Sequence, residues 1–342
     1  MKLLVIRMSS LGDVILSTSF LESLPEGVQV DWVVAKEFAF ILRGHPRIRN
    51  LFEFDKKKGL IGWFGLIREL SHQDYDCRVD LHVTIRSQLA RLYFHWLDFS
   101  RGYWVPWKSI SKERFSFYGY LIFKKWWPSS LRPRSFWKRF AHLACSITGI
   151  SDASIHGPSM RHLNMNSETA LSKYSLDSKK YFVIMPSSRW TSKEWSTDGY
   201  ERVCLEYFHE KSLMPVVMGR LNDRNSAALV LRLTKSGIPH RAILSENDFA
   251  VTAAIMRESA FYVGSDTGLA HLAEAVGTPA IMIFGPTRPD LGFGPWKKDS
   301  VSVHSDVWCS PCSKDGRVCY RFRDRYACLK RITVEQVKGR LP

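Results

Sequence analysis

The chain has 342 residues, 45% of them hydrophobic, with 49 basic side chains against 33 acidic ones. That length allows two ordinary domains, each with its own core, and the composition excludes a disordered, low-complexity or repeat protein. The formal net charge of +16 points to anionic partners: nucleic acid, phosphorylated substrates or an anionic membrane surface.

Residues 2–6, KLLVI, predict a short buried strand, RMSSLGD a turn, and VILSTSFLESL a helix ending at Pro25. VQVDWVV predicts the next strand. The chain therefore opens as strand, glycine loop, helix, strand, the start of a parallel α/β sheet. DCRVDLHV (76–83) predicts another strand and IRSQLARLYFHWL (85–97) a helix. Residues 151–180 are polar and weakly periodic and predict the region linking two domains. The pattern then restarts: strand YFVIMP (181–186), polar loop SSRWTSKEWS, helix DGYERVCLEYFHE, strand MPVVMG and helix NDRNSAALVLRLTKSG. Helix FAVTAAIMRES, strand FYVG, helix TGLAHLAEAVG and strand PAIMIFGP follow. The expected architecture is two α/β units facing each other across a cleft, with ligands outside the carboxyl ends of the strands.

The apolar run before Arg7 is only Leu3 to Ile6, too short for a signal peptide, and no uncharged window of 18 apolar residues occurs. The expected location is the cytoplasm. Cys77, Cys145 and Cys204 are scattered, whereas Cys309, Cys312, Cys319 and Cys328 cluster. Cys309-x-x-Cys312 has zinc-like spacing but lacks a second such pair, which favours reduced, partly buried thiols over a structural zinc.

Three loops carry chemistry. In GSDTGLAH (264–271) a strand ends, Gly264 allows a tight turn, and Asp266 or Thr267 can cap the helix that follows. The first N–H groups and the dipole of that helix form an anion site, with His271 about one turn in. An ordinary capped helix with a packing histidine is the bland alternative. The loop after 181–186 offers Ser187, Ser188 and Lys193, and both loops follow strand ends of one domain. In the other domain, Ser9-Ser10-Leu11-Gly12-Asp13 places a carboxylate at a strand-to-helix turn. As an N-cap, Asp13 would be structural; facing the cleft, it could take a proton from a hydroxyl. Asp74-Tyr75-Asp76 has the D-x-D spacing of metal-dependent transferases but precedes its strand, at the wrong end of a sheet for ligand binding. Residues 101–140 hold ten Lys or Arg, one acid (Glu113) and thirteen aromatics, among them Trp104, Trp107, Trp126, Trp127 and Trp137. That mixture suits a membrane interface, stacked nucleic acid, or a basic surface over an aromatic core.

Together, KLLVIRMSSLGDVILSTSFLESL, VQVDWVV, PSSRWTSKEWS, GSDTGLAHLAEAVGTPAIMIFGPT and the tail CSPCSKDGRVCYRFRDRYACLKRITVEQV resemble the bacterial lipopolysaccharide heptosyltransferases of glycosyltransferase family 9. The resemblance covers nearly the whole chain and extends to the four-cysteine tail. It implies a GT-B fold with two Rossmann-like domains: 1–165 binding the acceptor and 166–342 binding the nucleotide-sugar donor. The implied reaction is inverting, metal-independent transfer of heptose from ADP-heptose to a phosphorylated lipid A–Kdo-type acceptor of the lipopolysaccharide inner core. It would occur at the inner face of the inner membrane, with peripheral association and no cofactor or nucleic acid. Asp13 matches the catalytic base, with Ser10, Gly12 and Arg86 on the acceptor side. Lys193 matches a catalytic and donor-phosphate residue beside Ser187 and Ser188. Asp266, Thr267, Gly268 and His271 match the donor motif, and Asp223 aligns with an acidic residue that holds the ribose. The family often has proline and glycine where this chain has Pro186-Ser187-Ser188, and the tryptophan content of 101–140 is higher than expected. The alternative is a transferase of the same fold that uses a different nucleotide sugar or acceptor; two rivals from other classes are a nucleotide-sugar epimerase, which needs no basic acceptor face, and a nucleic-acid-binding protein, which needs no paired phosphate loops.

Overall fold

The computed structural model describes residues 1–317 and 319–339; Val318 of the cysteine-rich tail and residues 340–342 lie outside them. In chain order the elements are β1 (Lys2–Ile6), α1 (Leu11–Glu22), β2 (Gln29–Ala35), β3 (Ile48–Phe54), α2 (Gly59–Leu70), β4 (Cys77–Asp80), α3 (Ile85–Arg101) and β5 (Trp107–Ser109). Then come α4 (Arg114–Phe123), α5 (Phe136–Thr148), α6 (Ser167–Tyr174), β6 (Tyr181–Met185), α7 (Thr197–Lys211), β7 (Met214–Gly219), α8 (Arg224–Lys235) and β8 (Arg241–Leu244). The last are α9 (Phe249–Glu258), β9 (Tyr262–Ser265), α10 (Gly268–Ala275), β10 (Ala280–Phe284), β11 (Val301–His304), α11 (Ala327–Lys330) and α12 (Val334–Lys338).

The strands form two sheets, with order β3-β2-β1-β4-β5 and β11-β10-β9-β6-β7-β8, and every pairing is parallel. Strands of such sheets are covered on both faces and read as apolar runs. Leu3, Leu4, Val5 and Ile6 of β1 are all buried, and burying one such side chain fully stabilises by about 1.5–3 kcal/mol. The first core gathers β1 and β2 residues around Trp63 and Ile67 of α2. The second packs Phe182, Val217, Val263 and Ile283 against α7, α8 and the C-terminal helices. In the first sheet the chain lays β2 and β3 to one side of β1 and then β4 to the other. In the second, β7 and β8 lie on one side of β6 and β9 on the other. These reversals open a crevice at the carboxyl ends of β1/β4 and of β6/β9.

Several boundaries differ from the sequence expectation. Helix α1 begins at Leu11, so Gly12 and Asp13 belong to its first turn and not to a preceding loop. Residues 151–180 are not all linker, since α6 forms there with Asn166 accepting from the Thr169 N–H. Gly264 lies inside β9, and its need for glycine is a close approach rather than a turn: a Cβ would stand 2.9 Å from the Met185 carbonyl oxygen of the neighbouring strand.

By contact clustering, one unit comprises Met1–Lys112 and Phe136–Asn164. The other comprises Glu113–Ser135 and the described chain from Met165 on. The last crossing between the units falls at 164/165, and residues 113–135 cluster with the second unit. Phe117 and Tyr120 of α4 pack on Leu291. The Tyr120 hydroxyl donates to Asp290 at 3.1 Å, and Arg132 pairs with the same carboxylate at 2.9 Å. No helix among the described residues is long and apolar enough to cross a membrane.

Candidate active site

At the first switch point the apolar run of β1 stops at Ile6, and Arg7 turns back over the sheet edge. Its guanidinium donates to the Leu81 carbonyl at 2.5 Å, beyond the end of β4, and meets Asp13 Oδ1 at 2.8 Å. The N-cap of α1 is Ser10, and Asp13 is the third residue of the helix. Asp13 is therefore not the N-cap considered from the sequence. It reaches back to the cap, where its Oδ2 accepts from the Ser10 N–H at 3.1 Å and the Ser10 hydroxyl at 2.8 Å. A carboxylate in a first turn also gains from the helix dipole. Burial pushes the Asp13 carboxyl up, but Arg7 and the two Ser10 donors outweigh it, so it titrates below the usual aspartate range. His82 follows β4; burial, reinforced by Arg7, pushes it down to about 4, which keeps the imidazole neutral at physiological pH.

Ser10 thus orients Asp13, and Gly12 lies in the first turn of α1. Arg86 is in the first turn of α3, with its guanidinium over the Phe54 ring at 5.8 Å and its carbonyl accepting from the Trp63 indole at 2.8 Å. Arg7 and His82 were missed in the sequence. Their signal was position alone: each lies just past the carboxyl end of a central strand.

At the second switch point, Lys193 Nζ meets Asp266 Oδ2 at 2.8 Å, and Thr287 donates to the same oxygen at 3.1 Å. The Lys193 carbonyl accepts from Ser265 at 2.7 Å, which ties the 186–196 loop to the end of β9. Burial pushes Asp266 up, but Lys193 and then His271 outweigh it and hold it ionised. Thr267 is the N-cap of α10 without a side-chain cap bond, Gly268 is the first helical residue, and His271 is buried one turn on. Gly268, with no side chain, opens this helix, and the start of a helix is a favourable place for an anion.

The serines of the neighbouring loop are held from below. Ser187 shares its hydroxyl with Ser226 at 3.0 Å and accepts from the Ser226 N–H at 3.2 Å. The Ser188 N–H donates to Glu194 Oε1 at 2.8 Å, and Asn225 donates to the other oxygen of Glu194 at 2.9 Å. Burial raises the Glu194 carboxyl. Asp223 is the N-cap residue of α8, the helix that carries Asn225 and Ser226, and accepts from the Arg220 N–H at 2.7 Å. The structure therefore brings Lys193 and Asp266 into direct contact and places Ser187, Ser188 and Asp223 around α8. Glu194 and Thr287, which organise them, were not singled out from the sequence.

Two residues of the D-x-D stretch, Tyr75 and Asp76, are held by the fold. Asp76 accepts from the Lys2 N–H at 2.6 Å, and Tyr75 donates to Asp31 at 3.0 Å. Both precede β4, at the amino end of the first sheet. Among the described residues no three His, Cys, Asp or Glu side chains gather as a metal set. All seven cysteines are free, and burial pushes Cys312 and Cys328 up to about 12 and 11, keeping them as thiols.

The sequence model of glycosyltransferase family 9 (heptosyltransferase) matches residues 138–320, more than half of the chain. Lipopolysaccharide heptosyltransferase 1 of Pseudomonas aeruginosa is 25% identical, over 100% of this chain and 97% of its own length. Among solved structures, a glycosyl transferase family 9 protein from Veillonella parvula superposes with a TM-score of 0.76 at 18% identity, covering 99% of this chain and 95% of that one. The E. coli heptosyltransferase WaaC with ADP-2-deoxy-2-fluoro heptose gives 0.67 at 18% identity, covering 99% and 98%. These likenesses establish the GT-B fold, with its two parallel-sheet α/β units. The chain belongs to glycosyltransferase family 9, the heptosyltransferases, and is a glycosyltransferase.

Proposed function

We propose that the protein transfers heptose from ADP-heptose to a phosphorylated lipid A–Kdo-type acceptor of the lipopolysaccharide inner core, with inversion and without a metal ion. The observation that carries the donor half is Lys193, fixed by Asp266 at the start of α10 with Thr267-Gly268 beside it. A nucleoside diphosphate needs positive charge and N–H donors where its leaving oxygen gains charge, and fixed donors of that kind are usually the largest catalytic term. Lys193 supplies the charge that a metal supplies elsewhere. The Ser188 hydroxyl, which only accepts from the Trp190 N–H, adds a donor, Ser187 braces that loop on α8, His271 adds a buried imidazole, and Asp223 a carboxylate for the ribose. The E. coli heptosyltransferase WaaC, solved with ADP-2-deoxy-2-fluoro heptose, supports the donor, and the lipopolysaccharide enzyme of Pseudomonas supports the acceptor.

Asp13 takes the proton of the acceptor hydroxyl as that oxygen attacks the anomeric carbon; the bond to the diphosphate breaks and ADP leaves. Inversion follows from a single displacement. Ser10 and Arg7 hold the carboxylate, and Gly12 and Arg86 line the acceptor side, so the first unit serves the acceptor and the second the donor. The enzyme acts in the cytoplasm, associated peripherally with the inner membrane.

The test is ADP release from ADP-heptose with and without lipid acceptor, in excess EDTA. Release that needs acceptor and survives EDTA is expected. Release without acceptor would favour an epimerase or hydrolase, and activity restored only by Mg²⁺ or Mn²⁺ would overturn the metal-free reading.

A further inference from the structure

We infer that the second unit carries the membrane face of this protein, a composite of α4 and the segment 308–325, and that its occupant is an anionic lipid bilayer. The inference extends the peripheral association proposed above, and rests on that reading only for the kind of membrane.

Helix α4 is apolar on two faces. Its inner face, Phe117 and Tyr120, is buried on Leu291. Its outer face presents Phe115, Tyr118 and Ile122, at spacings of three and four, and all three are more than half exposed. One stripe of a helix is enough to dock it, so a second apolar stripe pointing to solvent is unexplained by the fold. Trp126, 79% exposed, prolongs the stripe past the helix end.

The segment 308–325 adjoins this end of the helix. Lys124 donates to the Pro311 carbonyl at 2.7 Å. It also lines a cavity of about 440 Å³ together with Trp308, Tyr320, Arg321, Phe322 and Arg323. Trp308 and Phe322 are 73% and 100% exposed. Around these apolar groups lies a surplus of cations. Residues 113–135 hold five Lys or Arg and one acid, and residues 308–325 hold five and two.

Aromatic and aliphatic side chains among cations match the chemistry of a bilayer surface, where rings lie at headgroup depth and Lys or Arg meets lipid phosphate. A second copy of the chain would set the same cations against each other in a two-fold contact. Single-stranded nucleic acid stacks on rings but gains little from Ile122.

The experiment is flotation of the full chain with phosphatidylcholine vesicles, with and without phosphatidylglycerol, at low and high salt. Binding only to the anionic vesicles, released by salt, is expected. I122S/W126S and R323E/R325E alter exposed side chains, and each should lower the partition coefficient roughly tenfold or more. K57E/K58E makes the same charge change on the first unit and should leave most of the binding intact. No binding by the wild type overturns the inference, as does an equal loss with K57E/K58E. Light scattering that shows a dimer dispersed by I122S/W126S, without vesicle binding, assigns the face to a second copy instead. ADP calorimetry on the same samples separates the two readings: vesicle binding without ADP binding sinks the donor proposal alone, and the reverse sinks this one alone.

Discussion

At the first switch point the ion pair is Asp13 with Arg7, at 2.8 Å; at the second it is Lys193 with Asp266, at the same distance. Both lie where a central parallel strand gives way to a helix. The proposed working group differs in sign: in the first unit the acid works and the cation holds it, and in the second the cation works and the acid holds it. Each holding partner fixes the position of the working group before substrate arrives. The cost also differs. A base clamped by Arg7 is weakened, because its pKa is held low, whereas the Lys193 ammonium gives two of its three N–H groups to Asp266, one to a carboxylate oxygen and one to the backbone carbonyl, and keeps one for phosphate.

The largest effect should come from the acid that works. Asp13→Ala should lower transfer by roughly 10²–10⁴-fold while leaving ADP affinity, measured by calorimetry, near that of the wild type. Loss of ADP binding in this variant would break the division of labour between the units. Next is Lys193→Ala, which should lower kcat by about 10²–10³-fold and weaken ADP as well. An unchanged ADP affinity would show that Lys193 is a structural partner of Asp266 and nothing more.

Arg7→Gln sharpens the comparison through pH. Without the guanidinium, burial is left to act on Asp13 and its pKa rises. The acid limb of the kcat/KM profile should move to higher pH, with smaller loss than Asp13→Ala at neutral pH. A limb that stays in place would remove Asp13 from the titration. The smallest effect concerns Glu274 on α10, whose Oε1 accepts from the Trp296 and Lys297 N–H groups at 2.8 and 3.0 Å. Burial pushes this carboxyl up to about 7. A carboxyl raised in the folded state favours folding below its unfolded pKa, and that contribution is lost as pH rises through about 7. The loss is on the order of 3 kcal/mol. Glu274→Gln keeps the acceptor, so its Tm should match the wild type near pH 5 and exceed it near pH 8. Equal Tm values at both would show that Glu274 is ionised in the folded protein.

The central strands were readable because they are apolar on both faces: β1, β2, β6, β7, β9 and β10 each appear as a run. The outer strands were not. In β3, IRNLFEF is only partly buried, and in β8 the arginine that opens RAIL faces water. Neither carries the continuous pattern that marks a covered strand. The candidate loops could be picked out because serine, aspartate, lysine and glycine fall together at strand ends, although the same residue types also cap helices and make turns. Their arrangement could not be, since Asp13 as third helical residue or as cap depends on whether Ser10 or Asp13 starts the helix, and both residue types start helices well. The attachment of 113–135 to the second unit could not be read at all. It rests on Tyr120 and Arg132 meeting Asp290, some 160 to 170 positions away.

That attachment bears on how the two halves can be separated. The chain passes from one unit to the other three times, near residues 112, 135 and 164. A fragment cut at the apparent linker would begin at Met165 and leave Leu291 and Asp290 without Tyr120 and Arg132. Limited proteolysis between 164 and 166 should accordingly yield pieces that stay together in native gels. Exchange of acceptor and donor halves between relatives should succeed only when the 113–135 excursion travels with the donor half. Inheritance of substrate preference in such chimaeras would then follow three crossings of the chain and not one.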